Sequence, residues 1–262
     1  MVVVSDLHCG SEVGLMPPDS AINGKGNVVG FGENYHQRWL WDCWQDMERG
    51  VLARMKGRRF ALIVNGDCTE GIHHRSPEVV STRIEAHVQM AVVALSRLAN
   101  AATKRYVVKG TECHVLDMEN LVAERIQAES GKARDKWLVG INGCLIDAAH
   151  HIGPTSRAYL EASGMGINMG NARLNYARCG HEIPKVYLRG HRHCGGWFSD
   201  GSGIMGITGG WQFLTRHGHK VVTDSLPTPT ALLFDWQNKQ NGELPDVVQY
   251  RYPGPQAEIS IA

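Results

Sequence analysis

VVVSDLHCGS, residues 2–11, runs three valines straight into an aspartate, a leucine and a histidine. Three β-branched residues in a row predict a strand buried on both faces, an inner strand of a sheet covered by other layers. A carboxylate and an imidazole follow at its carboxyl end. Side chains two apart on an extended chain share a face, so Asp6 and His8 can reach one point. The pattern recurs along the chain. ALIVNGDC (61–68) ends on Gly66 and Asp67, and RYVVKGTECH (105–114) ends on Glu112 and His114. WLVGINGCLIDAAHH (137–151) reads as a hairpin turning at Gly143 and closing on His150 and His151, and KVYLRGHRH (185–193) closes on His191 and His193.

Ligands of open α/β sheets bind outside the carboxyl ends of the strands, so these groups can converge on one crevice. Mixed aspartate and histidine donors suit Mn, Fe, Zn or Ni better than calcium or magnesium, which prefer oxygen throughout. The donors exceed what one tetrahedral ion needs, and a carboxylate such as Asp67 can bridge. Two ions roughly 3.5–4 Å apart are therefore expected, the arrangement of phosphatases and nucleases.

The rest of the chain alternates strands with helices. The spacing of Trp41, Trp44, Met47, Val51 and Met55 predicts a helix over 35–55, with Trp39, Trp41 and Trp44 packing on a sheet. Further helices are expected over about 77–102, in LDMENLVAERIQ, and over roughly 172–181. Residues 11–34 carry Gly14, Pro17, Pro18, Gly24, Gly26, Gly30 and Gly32, which predicts a long functional loop. The runs GIMGITGG, KVVTD and TALLFDW predict a second, largely antiparallel sheet. No repeat or linker interrupts this order, so one domain over 1–262 is expected.

Composition narrows the partners. A net charge of +1 across 262 residues provides no global basic field for non-specific nucleic-acid binding. Seven cysteines without paired C-x-x-C spacing, and no leader before the first strand, point to free thiols in a reducing cytoplasm. No run approaches the roughly 20 apolar residues of a membrane span.

At this point the motifs resemble a known family. D-x-H at Asp6 and His8, G-D at Gly66 and Asp67, a Gly-led polar cluster from Gly110 to His114, His150 at a strand end and G-H-x-H from Gly190 to His193 are similar to the ordered motifs of calcineurin-like metallophosphoesterases. The resemblance spans residues 6–193 and extends to phage-type members. It implies a four-layer α/β/β/α sandwich, two mixed sheets flanked by helices, around a binuclear centre. Asp6, His8 and His193 would hold one ion, His150 and His191 the other, and Asp67 would bridge. The implied reaction is attack of a metal-bound hydroxide on phosphorus, with a histidine protonating the leaving group.

The third motif departs from the family's Gly-Asn-His, reading Gly110-Thr111-Glu112-Cys113-His114. Two registers stand. Glu112 replaces the amide ligand and His114 does the histidine's catalytic work, which is preferred, or Thr111 is the ligand and Glu112 sits at the histidine's place. A carboxylate ligand would favour metal retention and disfavour dianionic monoesters, so phosphodiesters are the expected substrates. His150 is preferred over His151 as ligand, and the choice stays open.

His73, His74 and Arg75 follow the second motif and are candidates for substrate contact, while His217 and His219 read as loop residues. Arg157, Tyr159, Arg173 and Tyr176 are expected to shape the pocket. Cys9, Cys68, Cys113 and Cys194 neighbour the motifs and are expected to be structural. The expectation is a two-metal phosphoesterase of small phosphoesters, with nucleic acid as the runner-up substrate and a non-catalytic scaffold binding a partner protein as the reading from another class.

Overall fold

The computed structural model describes residues 1–18, 21–22, 28–29, 33–72, 78–112, 117–153, 161–215 and 228–255. Two five-stranded sheets dominate it. In the first, β1 (Val2–Val4), β4 (Ala61–Asn65) and β5 (Lys104–Val108) run parallel, and β11 (Thr230–Asp235) and β12 (Asp246–Arg251) complete the order β12-β11-β1-β4-β5. β11 pairs antiparallel with β1, with Val2 opposite Leu233. In the second, β6 (Lys136–Ile141), β7 (Cys144–Ala149), β8 (Val186–Arg189), β9 (Gly196–Ser199) and β10 (Ile204–Ile207) take the order β6-β7-β8-β10-β9. β7, β8 and β10 are parallel in it.

Alternation along β1 explains the layering. Val2 and Val4 face one side with Leu62, Val64 and Val107, against α1 (Tyr35–Arg54), α2 (Ile84–Ala101) and α3 (Met118–Arg125). Val3 faces the other side with Ile63 and Val108, where Ile146, Val186 and Leu188 of the second sheet meet it. The outer face of that sheet, through Tyr187, Met205 and Ile207, carries Met165 and Met169 of α4 (Glu161–Arg178). The result is the expected α/β/β/α sandwich. All three valines are fully buried because both faces of the strand are covered.

α1 follows its sequence pattern closely. Asn34 accepts from the Gln37 backbone N–H at 2.9 Å, and the Gln37 side chain accepts from the Asn34 N–H at 3.2 Å, a reciprocal cap. Trp44 is fully buried and donates to the Ala94 carbonyl, so the tryptophans are packing residues. Gly50 sits within the unbroken helix where the Tyr250 ring of β12 lies so close that a Cβ would strike it.

Four expectations change. α2 begins at Ile84. α4 begins at Glu161 rather than near 172, its start disguised by Gly164, Gly166 and Gly170. TALLFDW forms β11 within the first sheet rather than a strand of the second. Residues 11–34 contain a short antiparallel ribbon, β2 (Ala21–Ile22) with β3 (Val28–Val29), instead of loop throughout. KVVTD lies outside the described residues. Among the described residues the cysteines are free, and no helix is long and apolar enough to cross a membrane.

Candidate metal centre

The carboxyl ends of β1 and β4 meet those of β7 and β8 at one edge of the sandwich, which is why separated sequence motifs become neighbours. Backbone pairing continues beyond the strands: the Asp6 N–H donates to the Gly66 carbonyl at 2.9 Å and His8 N–H to Asp67 at 3.0 Å. The extended-chain geometry expected of the motifs is not what aims them. Asp6, His8, Asp67, His191 and His193 all have left-handed backbone, with φ of 53°, 46°, 52°, 73° and 56°. Such conformations cost roughly 1–2 kcal/mol each for residues with a Cβ and persist only where the surroundings impose them. Here fully buried Leu7 anchors the segment between Asp6 and His8.

Seven donor residues converge, the six expected and His151. His193 Nε2 lies 3.0 Å from His8 Nε2 and 3.6 Å from Asp6 Oδ1. His150 Nε2 lies 3.0 Å from Asp67 Oδ2 and 3.8 Å from Asp6 Oδ1. Three groups have donor atoms all within 4.8 Å of one another: Asp6, His8 and His193; Asp6, Asp67 and His150; and His150, His151 and His191. Asp6, His8, Asp67 and His150 are buried, His193 is half-buried, and His151 and His191 are exposed at the mouth.

The surrounding acceptors determine what these rings can do. His150 Nδ1 meets the Asn65 carbonyl at 2.7 Å, and a carbonyl only accepts, so Nδ1 carries the proton and Nε2 turns a lone pair toward Asp67. His8 Nδ1 likewise meets the Glu70 carboxylate at 2.8 Å, leaving its Nε2 lone pair facing His193. His150 Nε2 and Asp67 Oδ2, two acceptors 3.0 Å apart, need a proton or a metal ion between them, whereas a neutral His193 can donate its own Nε2–H to His8 in the absence of an ion. Accordingly Asp6 and Asp67 hold His150 up at about 10 although burial alone would lower it. Burial, and then His8, push His193 down to about 3. Burial also raises Asp6, an effect that His150 opposes. Buried carboxylates and aligned imidazole lone pairs fit transition-metal ions as the missing positive charge.

Two glycines make the closeness possible. Gly66 has φ +91° and a Cβ there would strike the His150 ring, while a Cβ on Gly110 would strike the Asp67 carboxylate.

At the third motif it is Thr111 that lies against Asp67. Thr111 N–H donates to Asp67 Oδ1 at 2.7 Å, its hydroxyl donates to Asp67 Oδ2 at 3.1 Å, and the same hydroxyl lies 3.1 Å from His191 Nδ1. Glu112 is exposed and belongs to none of the three donor groups, though its charge reaches His151. The close approach of Gly110 to Asp67 brings residue 111 rather than 112 over its carboxylate. His114, His73, His74, Arg75, Arg157, Tyr159, His217 and His219 lie outside the described residues. Arg173 pairs with Asp200, and Tyr176 donates to Asp147 at 2.9 Å, so both join α4 to the outer face of the second sheet instead of the donor groups.

Sequence reasoning missed the supporting groups. Glu70 is buried, holds His8 and accepts from Gln212 at 2.8 Å; its position three residues after Asp67 was the available signal. Buried Glu119 accepts from the Gly110 N–H at 2.7 Å and the Cys68 N–H at 3.3 Å, tying the two loops that flank Asp67. Nothing in the α3 sequence marked it.

No protein-family model matches this sequence, and no curated protein does. Solved structures are similar in fold. Vps29 from Cryptosporidium parvum is 11% identical, with 97% of each chain covered and a TM-score of 0.45. Vps29 from Entamoeba histolytica, complexed with zinc, is 12% identical over 97% of this chain and 99% of that one, at 0.40. A novel archaeal phosphodiesterase is 10% identical over 95% and 98%, at 0.43.

Proposed function

We propose that this chain is a single-domain, two-metal phosphoesterase. The observation that carries the reading is the convergence of Asp6, His8, Asp67, His150, His191 and His193 from four strand ends, their donor atoms falling into groups within 4.8 Å of one another. Asp6, His8 and His193 would hold an inner ion, His150 and His191 an outer one, and Asp67 would lie between them. When bound, the ions supply Lewis acidity that polarises a phosphoryl oxygen and lowers the pKa of water.

The chain's own residues do the rest. Glu70 keeps the Nδ1 proton on His8, and the Asn65 carbonyl keeps it on His150, so both rings present Nε2. Thr111 orients Asp67 and His191 together. His114 is proposed, from its motif position alone, to protonate the leaving alkoxide, and His73, His74 and Arg75 to contact substrate. Glu112 serves as an exposed carboxylate near the mouth rather than as a ligand. A negative charge there repels a dianionic monoester more than a monoanionic diester, which supports phosphodiesters as substrates. We place the protein in a reducing cytoplasm on the strength of its free thiols.

The test begins with metal analysis of purified protein, followed by reconstitution with manganese, iron, zinc or nickel. Hydrolysis of a bis-aryl phosphate is then compared with that of a mononucleotide and of single- and double-stranded DNA. Metal-dependent turnover of the diester, abolished by Asp67→Asn and His150→Ala, is expected, and preference for DNA would make the enzyme a nuclease. Less than one ion per chain, with no activity restored by any of these metals, would sink the reading in favour of a protein-binding scaffold.

A further inference from the structure

Buried His150 and the two exposed imidazoles at the mouth, His151 and His191, form an arrangement that six-donor convergence does not account for. His151 packs edge-on against both neighbours, its ring centroid 5.0 Å from that of His150 and 4.8 Å from that of His191. His150 and His191 are themselves 5.4 Å apart, centroid to centroid, so the rings close a triangle. One ligand atom from each lies within 4.8 Å of the other two.

We propose that His151 is a ligand of the outer ion, making that position a three-imidazole site whose metal preference differs from that of the inner position; this rests on the two-metal reading above. Consecutive residues His150 and His151 would then both be ligands, contributed by the end of β7, and the choice between them dissolves.

Chemistry and geometry support it separately. Nitrogens bound to one tetrahedral zinc lie about 3.3 Å apart given bonds of about 2.0–2.1 Å, so nitrogens within 4.8 Å of one another need close by about 1.5 Å at most. His150 meets the Asn65 carbonyl through Nδ1, so its Nε2 would face the ion, and the Thr111 hydroxyl holds the His191 ring at Nδ1. Exposed His151 has rotamer freedom to complete the set.

The two positions then differ in donor type. Asp6, His8 and His193 offer one carboxylate and two imidazoles, whereas His150, His151 and His191 offer three imidazoles. Imidazole suits zinc, nickel and copper, and carboxylate is the donor that keeps manganese competitive. The outer ion is therefore the more selective for zinc-like metals, and the more exchangeable because it faces solvent.

The experiment titrates metal-free full-length protein with cobalt(II), zinc or manganese. It follows stoichiometry, affinity and, for cobalt, the visible ligand-field band, in wild type, His151→Ala, His151→Phe and Glu112→Ala. Wild type is expected to bind two ions. Both His151 variants should bind the first as wild type does and the second more than about tenfold more weakly, with a changed cobalt band for that equivalent and a smaller preference for zinc over manganese. Glu112→Ala, which removes a neighbouring charge but no donor, should titrate as wild type. His151→Phe keeps the ring packing without the nitrogen, so its behaving as wild type overturns the assignment while leaving two-metal binding intact. A wild type that binds fewer than one ion overturns the two-metal reading itself, and this assignment with it.

Discussion

At the scale of single residues, Thr111 and Glu112 show how little separates a site residue from a surface one. Thr111 places its hydroxyl between Asp67 Oδ2 and His191 Nδ1, each 3.1 Å away, while the next side chain is in solvent. Thr111→Val removes that hydroxyl but keeps the backbone N–H to Asp67. A lost hydrogen bond to a charged group costs about 1.5 kcal/mol, which is about tenfold in rate. Turnover should fall by that order in steady-state assays, and an unchanged rate would remove Thr111 from the site. Glu112→Ala, by contrast, should leave metal content unchanged and narrow the gap between diester and monoester hydrolysis. Loss of an ion in that variant would restore Glu112 as a ligand.

Elements bring these residues into register, and the turns after the strands are the sensitive joints. Gly66→Ala must accept φ +91° and a collision with His150, costing about 2–4 kcal/mol and disordering the donor set. Gly57 also has positive φ, +72°, but faces open space, so Gly57→Ala should lose only about 1 kcal/mol and keep its metal. Equal losses in urea melts of the two would show that backbone strain alone is at stake. Helix packing carries a pH dependence of its own. Glu48 on α1 is buried, and burial raises its carboxyl from 4.5 to about 7, against the pull of Arg97 on α2. A raised folded pKa stabilises fully below pH 4.5 and is lost as pH rises through about 7. Wild type should therefore lose about 2 kcal/mol between pH 5 and 8 that Glu48→Gln retains. Parallel stability curves for the two proteins would contradict the assignment.

For the molecule as a whole, the edge where the two sheets meet gathers acceptors faster than it gathers positive charge. Bound metal should therefore stabilise the fold as well as the site. A hundredfold excess over the dissociation constant adds about 2.7 kcal/mol, or about 5–10 °C in melting temperature for a domain of this size. Thermal scans with zinc and with a chelator should differ by that much in wild type and by less in Asp6→Ala, which loses a donor of the inner position but none of the outer. Coincident midpoints in wild type would mean that protons alone satisfy the cluster.

Much of this was legible in the chain. Valines 2–4 specify a strand covered on both faces, and hydrophobic spacing specifies α1 almost to the residue, because burial imposes its period locally. Asp6, His8, Asp67, His150, His191 and His193 stood at strand ends in the sequence and meet in the structure. Tertiary structure decided the rest. β11 joins the first sheet, Thr111 hydrogen-bonds Asp67, and Glu70 and Glu119 brace the donors. His151 completes a triangle of rings with His150 from its own strand end and His191 from the end of the next strand. These outcomes depend on left-handed turns and on close approach between segments distant in sequence, and no local period records either.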